Sequence, residues 1–175
     1  MTTSDPRDLE WRDADVSIRC GSGHRQGCEG HFLVSNRILP VASPKCLEQL
    51  DLKTVADIRD AICIRVDAAP RQEDWARWLN STGASDVTPR TWQSYANSTH
   101  ALEAATAGLG IAMSHSPFVS DSLASGRLVR PFPLECDDAD GDYYLVHGIS
   151  PHPPPRIRRF RQWLLDEMER DSPAL

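Results

Sequence analysis

Cysteine and histidine are concentrated in one short stretch near the start of the chain. Cys20, His24, Cys28 and His31 follow the spacing C-x3-H-x3-C-x2-H. Thiolate and imidazole are ligands that zinc prefers, but zinc fingers combine C-x2-4-C with H-x3-5-H, which this spacing does not reproduce. Because the stretch joins two predicted strands through a loop with several glycines, we interpret it as a connector and predict no metal and no cofactor.

Known catalytic motifs are missing from the sequence. It contains no G-x-S-x-G, no H-E-x-x-H and no G-x-x-x-x-G-K-[ST]. The glycines of 108–110 follow a predicted helix, so their amides do not form the phosphate cradle that a helix start provides. Two alternatives would make the protein an enzyme. One is a nucleophilic cysteine (Cys20, Cys46 or Cys63) paired with a histidine, and the other is zinc chemistry at Cys20 and His24. We predict that the protein is not an enzyme.

The start of one predicted helix, over 98–107, offers a candidate site for an anion. Asn97, Ser98 and Thr99 stand where unpaired N–H groups and the helix dipole attract negative charge. The alternative role of these residues is to cap the helix with their side chains. We treat all three as candidate ligands of a carboxylate or another anion.

Two predicted strands carry further candidate ligand-binding residues. Arg19 ends the first strand, with Cys20 next to it, and ligands in open α/β sheets bind beyond the carboxyl ends of strands. An arginine there would bind an acid group with two parallel hydrogen bonds, unless it forms a surface ion pair instead. Tyr143 and Tyr144 would present hydroxyl groups to the same ligand, unless they pack against the core.

Composition limits the class of protein. The chain has 175 residues, 40% hydrophobic and 25% charged, which predicts one packed globular domain or two small lobes. Its net charge of −6 argues against DNA binding by this chain alone. No stretch approaches the roughly 20 apolar residues of a membrane span and no signal peptide is evident, which predicts a cytoplasmic protein that does not contact a membrane. An odd number of cysteines, five, predicts thiols rather than a disulfide framework.

Strand-like and helix-like segments alternate along the chain, which predicts an α/β fold. The predicted strands cover 15–19, 32–39, 61–66, 111–113, 127–132 and 143–149. The predicted helices cover 43–50, 98–107, 116–126 and an amphipathic segment around 157–168. A further predicted helix carries Trp75, Trp78 and Leu79, with Glu73 and Asp74 in its first turn. Ser43 followed by Pro44 marks one helix start, and Gly108 marks a helix end.

Six segments, in the same order along the chain, resemble the effector-binding region of LysR-type transcriptional regulators. Within that family, their sequences are similar to the subgroup of glycine-cleavage activators and β-lactamase regulators. They are DVSIRCG at 15–21, LPVASP at 39–44, ALEAATAGLGIA at 101–112, LASGRLVRPF at 123–132, YYLV at 143–146 and IRRFRQWL at 157–164. Each segment is weak alone, but together they cover nearly the whole chain in the family's order.

The resemblance implies a type II periplasmic-binding-protein-like fold, in which two α/β lobes are joined by two crossing strands and bind a small effector between them. By position, lobe I comprises 1–39 plus 148–175, and lobe II comprises 40–147. The effector contacts that it implies are those already found from residue chemistry: Arg19, Cys20, Asn97, Ser98, Thr99, Tyr143 and Tyr144.

The chain also departs from the family. It contains neither the helix-turn-helix nor the linker helix, and residues 1–5 resemble the end of the region's second strand, so we expect an N-terminal truncation and an incomplete lobe I. The resemblance implies a sensor of a small acidic effector that reaches DNA only through a helix-turn-helix absent from this chain, and it is compatible with a homodimer. The alternative is a stand-alone cytoplasmic solute-binding protein with no role at DNA.

Overall fold

A computed structural model describes residues 14–69, 71–138 and 141–171. The strands are β1 Val16–Gly21, β2 Cys28–Val34, β3 Arg37–Val41, β4 Ile62–Val66, β5 Thr91–Tyr95, β6 Ile111–His115, β7 Cys136–Asp137 and β8 Asp142–Gly148. The α-helices are α1 Pro44–Glu48, α2 Asp74–Ser81, α3 Ser98–Thr106, α4 Ser116–Ala124 and α5 Pro155–Asp171, and short 3-10 helices cover Val55–Asp60 and Arg71–Glu73. The fold is mixed α/β, as predicted. Within the described ranges, no helix combines the length and the apolar character that crossing a bilayer requires.

The chain divides into two compact units. Unit 1 contains the described residues up to Ser35 and from Gly141 onward, and unit 2 runs from Asn36 to Asp138. The predicted boundaries between lobe I and lobe II lie at 39/40 and 147/148. The boundaries between the units therefore differ from the predicted boundaries between the lobes. The largest difference concerns β8, which lies in the middle of the unit 1 sheet although the prediction assigned it to the second lobe. The expected strand remnant at residues 1–5 lies outside the described residues.

Unit 1 is built on an antiparallel sheet of three strands in the order β1-β8-β2. The strand predicted over 32–39 is in fact two strands, β2 and β3, which belong to different units because the side chain of Asn36 turns into a buried polar cluster of unit 2. The predicted amphipathic helix, α5, packs against β2. Near the start of α5, Arg156 forms two parallel hydrogen bonds to Asp15, at 2.8 and 2.9 Å, which lower the pKa of that carboxyl.

Unit 2 contains a five-stranded sheet in the order β5-β4-β6-β3-β7, with β4 parallel to β5 and β6 and with β3 antiparallel to β6 and β7. The predicted strand over 127–132 is wrong, because only Val129 forms a bridge, to Ala42. Pro131 lacks the N–H that a continuing strand would need to donate.

Both faces of the unit 2 sheet are covered. Along β4, β6 and β3, successive side chains alternate between two hydrophobic clusters, as the period of two requires. One cluster contains the tryptophans of α2, and the other contains the small side chains Ala101, Ala104 and Ala105 of α3. Short side chains let α3 lie close to the sheet, so its N-terminus is fixed by packing.

The end of α3 uses both glycines of 108–110, for different reasons. Gly108 has φ +84°, and its N–H bonds to the Ala105 carbonyl while the Leu109 N–H bonds to Ala104, which is the Schellman arrangement. The prediction that Gly108 ends the helix is confirmed. At Gly110 a Cβ would lie 2.5 Å from the carbonyl oxygen of Ile62, so only glycine fits beside that strand.

Candidate functional site

The N-terminus of α3 is capped by Asn97, whose Oδ1 accepts a hydrogen bond from the N–H of His100 at 3.0 Å. The capping alternative therefore describes what this side chain does in unit 2. Ser98 and Thr99 instead line a surface cavity of about 700 Å³. This volume lies within the range of small-molecule sites.

Positive charge and hydroxyl groups share this cavity with apolar side chains. Arg71 and Arg127 line it together with Ser98, Thr99 and Phe118, and Leu102, Glu103, Thr106, Ala107 and Ser122 complete the lining. Arg127 donates to the hydroxyls of Ser122 and Ser125, neither of which carries a charge. Such a lining fits a ligand that has an apolar part and a carboxylate.

Sequence reasoning missed Arg71, which reaches from the cavity into a buried polar cluster. Its Nη1 donates to Asp138 Oδ2 at 3.2 Å and also contacts the ring of His115. Asp138, whose side chain is fully buried, also accepts from Arg77 at 3.3 Å and from Asn36 at 2.7 Å. No local pattern signals this cluster, because its members come from separate parts of the sequence.

His115 and Asp74 complete the buried cluster. The His115 Nδ1 lies 2.9 Å from Asn36 Oδ1, and its Nε2 lies 2.9 Å from Asp74 Oδ2. Asp74 Oδ1 is buried with no hydrogen-bond partner among the described residues and lies 3.9 Å from the Arg77 guanidinium. Two carboxylates are thus offset by the two guanidiniums of Arg71 and Arg77. The N–H of Asp138 also donates to the carbonyl of Asn36 at 3.2 Å, so the cluster joins the first and last residues of unit 2.

The other four predicted contact residues lie together in unit 1. Arg19 is opposite Tyr144, and Cys20 is opposite Tyr143, across the β1–β8 pair. Arg19 Nε donates to the Ser17 hydroxyl at 3.1 Å, and the Cys20 thiol to the Gly141 carbonyl at 2.9 Å.

Tyr144 packs against neighbouring side chains at the surface of the unit 1 sheet, outside the buried core. Its ring meets Phe32 edge to face at 5.8 Å, and it covers Gly23 so closely that a Cβ there would lie 2.4 Å from a ring carbon. Asn97, Ser98 and Thr99 belong to unit 2, so the predicted contact residues are divided between the two units.

The Cys-His stretch does not assemble as a zinc site. Cys20 pairs with Tyr143 and Cys28 with Gly148, five positions apart on β8, which is about 17 Å along a strand. One ion cannot bridge that distance. Among residues 14–69, 71–138 and 141–171, the one cluster with suitable ligand spacing joins His31 to Glu29 and His147.

All five cysteines lie in described ranges and are unbridged thiols, as predicted. Burial raises the pKa of Cys63 to about 12 and raises the pKa of Cys46 as well. Both therefore stay protonated near neutral pH and make poor nucleophiles.

A thiol reagent should therefore separate these cysteines by exposure. We expect N-ethylmaleimide at neutral pH to modify the exposed Cys20 first, and Cys63 only after unfolding. Mass spectrometry of peptides from native and urea-unfolded protein would measure the order, with Cys20→Ser as the control. Fast labelling of native Cys63 would contradict its burial.

Comparison with known proteins agrees with this architecture. The family profile described as "LysR substrate binding domain" matches residues 1–169. The chain is 31% identical over 157 residues to the HTH-type transcriptional activator AmpR of Enterobacter cloacae, covering 89% of this chain and 52% of that protein. It is 30% identical over 154 residues to the glycine cleavage system transcriptional activator of Escherichia coli K12, covering 87% of this chain and 49% of that protein. The chain thus spans about half the length of these curated relatives.

Solved structures give the same result. The effector binding domain of AmpR from Citrobacter freundii matches with a TM-score of 0.72 and 28% identity, over 96% of this chain and 80% of that one. The effector domain of AmpR from Pseudomonas aeruginosa matches with a TM-score of 0.69 and 27% identity, over 92% of this chain and 75% of that one. The fold is the type II periplasmic-binding-protein-like fold of these domains. The chain belongs to the family of LysR substrate-binding domains.

Proposed function

We propose that this chain senses a small anionic effector and controls transcription through a DNA-binding domain outside these 175 residues. The family membership supports the regulatory role, because the matched curated relatives are transcriptional activators. In this proposal the chain is not an enzyme, acts in the cytoplasm and works as a homodimer. Units 1 and 2 correspond to lobes I and II of the family's fold.

The observation that carries the ligand assignment is the cavity of unit 2. It places the Arg71 guanidinium with the hydroxyl side chains of Ser98 and Thr99 at the start of α3. A carboxylate bound there would accept hydrogen bonds from arginine and from groups at a helix N-terminus, both of which favour anions. The proposed effector contacts also include Arg19, Cys20, Asn97, Tyr143 and Tyr144.

Arg71 also supplies a route from ligand to conformation. Its guanidinium already bonds to Asp138, and Asp138 bonds to Asn36 at the other end of unit 2. A bound carboxylate would compete with Asp138 for the same nitrogen and so change the hydrogen bonds at both ends of unit 2. Binding would then favour one arrangement of the protein over another, which is the requirement for a ligand-driven shift of population.

A ligand screen by thermal unfolding tests the proposal. We expect one or more compounds from a panel of amino acids and carboxylic acids to raise the Tm of the chain, as any ligand of the native state does. Arg71→Gln should then weaken binding by about 10- to 150-fold, since hydrogen bonds to charged groups contribute about 1.5–3 kcal/mol. Thr99→Val and Arg19→Ala should weaken it less.

Arg90→Gln is the matched control, because Arg90 is an exposed arginine of unit 2 that pairs with Asp60 away from the cavity. It should leave the affinity unchanged. A stabilising anion whose affinity is the same for Arg71→Gln, Thr99→Val and the unmodified chain would show that the cavity is not the effector site.

A further inference from the structure

Two histidines and a glutamate meet on one face of the unit 1 sheet. Glu29 and His31 are two residues apart on β2, and His147 on β8 is the cross-strand partner of Glu29. Side chains two apart on a strand share a face, so all three point the same way. Their nearest ligand atoms lie within 4.8 Å of one another.

The distances match those around a tetrahedral zinc ion. The two Nε2 atoms of His31 and His147 are 3.2 Å apart, and His31 Nε2 is 3.4 Å from Glu29 Oε1. Ligand bonds of 2.0–2.1 Å to a tetrahedral centre place ligand atoms about 3.3–3.4 Å apart. An ion between these atoms would therefore need little movement of the side chains.

The hydrogen bond of the His147 ring to the backbone favours the tautomer with a free Nε2 lone pair, which is the tautomer that binds a metal through Nε2. Its Nδ1 lies 3.0 Å from the Gly148 carbonyl oxygen, which can only accept, so the Nδ1 carries the proton. The Nε2 then carries a lone pair directed at His31. Metal-binding histidines are oriented in this way by a carbonyl or carboxylate on the other ring nitrogen.

Desolvation favours the neutral form of one of the two imidazoles. It lowers the pKa of His31, opposed by the charge of Glu29 and helped by that of Arg161. Neutral imidazole is the form that binds metals.

Arg161 of α5 is the one cationic side chain that contacts both imidazoles among the described residues. Its Nη1 lies 3.5 Å from the Nε2 of His31 and 3.5 Å from that of His147. A positive group thus already faces both Nε2 atoms. A metal ion would have to displace it, and the guanidinium is at the end of a flexible side chain on a helix.

We propose that Glu29, His31 and His147 form a site for a divalent transition-metal ion of the zinc class, in which water fills the fourth position and Arg161 competes for the place of the ion. The site lies wholly within unit 1 and does not rest on the proposed effector function. Bound metal would join β2 to β8 by side-chain bonds in addition to the backbone ladder.

Calorimetric titration of the metal-free full chain with zinc chloride tests the proposal. We expect one zinc ion per chain to bind, and magnesium chloride to give no binding, because imidazole ligands suit zinc rather than magnesium. His147→Gln and His31→Ala should each weaken zinc binding by about 100-fold or more, since loss of a ligand exceeds the 10- to 100-fold effect of losing an outer partner. Arg161→Ala should tighten it by about tenfold because a nearby like charge is removed.

Two further measurements keep the result unambiguous. His24→Ala removes an exposed histidine of the same unit and should leave zinc binding unchanged. Cobalt in place of zinc should give an absorption spectrum without the strong near-ultraviolet thiolate charge-transfer bands that binding by Cys20 or Cys28 would produce. Zinc binding that His31→Ala does not weaken, thiolate bands in the cobalt spectrum, or no zinc binding by Arg161→Ala would each overturn the proposal.

Discussion

Asp138→Ala is expected to destabilise unit 2 by about 3–5 kcal/mol, the usual cost of removing one partner from a buried ion pair. The carboxylate accepts hydrogen bonds from Arg71, Arg77 and Asn36, at distances of 3.2, 3.3 and 2.7 Å. Its removal leaves two guanidiniums and an amide without their buried acceptor. Urea unfolding followed by tryptophan fluorescence measures the change.

The neighbouring aspartate provides the control for Asp138→Ala. Asp137 pairs with Arg37 at the surface, and its side chain is 82% exposed. Asp137→Ala should therefore change the free energy of unfolding by less than about 1 kcal/mol, as surface ion pairs do. Equal effects of the two substitutions would show that the cluster around Asp138 is not a buried, compensated network.

Trp78→Ala should destabilise unit 2 by about 3–5 kcal/mol, the range for removing a large aromatic side chain from a core. Trp78 is fully buried, it meets Trp75 edge to face at 6.3 Å, and its ring is 6.1 Å from that of Phe132. Its Nε1–H also donates to the Leu134 carbonyl at 3.1 Å, which would lose its partner. Thermal unfolding by circular dichroism measures the loss.

Two further substitutions serve as comparisons for Trp78→Ala. Trp78→Phe keeps an aromatic ring but loses the hydrogen bond, so it should cost less than Trp78→Ala. Trp163 on α5 is 52% exposed, and Trp163→Ala should cost under about 1 kcal/mol. If Trp163→Ala destabilised as much as Trp78→Ala, side-chain burial would not be what determines stability here.

Features set by neighbouring residues were predictable from the sequence. Ser43 caps α1 through the N–H of Cys46 with Pro44 in the first position, and Gly108 ends α3, both as the sequence indicated. The buried strand β4 followed from its apolar run. In each case the determining contacts lie within a few residues, so one sequence is enough.

Features set by distant residues were not predictable. The division of the 32–39 segment into two strands depends on Asn36, whose partner Asp138 is 102 positions away. Arg71 has an ordinary local sequence. It lines the same cavity as Ser98 and Thr99 only because its 3-10 helix and α3 both pack against β4. The part of the candidate site that could be found from the sequence was the helix start, whereas the place of Arg71 required the fold.

The hydrogen bond between the first and last residues of unit 2 bears on whether this segment can be replaced by another of different length or sequence. Because the Asp138 N–H bonds to the Asn36 carbonyl, the two ends of residues 36–138 are adjacent. A segment with adjacent ends can be replaced, shortened or exchanged for a homologous segment while the surrounding chain still needs to span only a short gap. Unit 2 therefore has the layout of a segment that can be exchanged as a whole, together with its cavity, at these two residues.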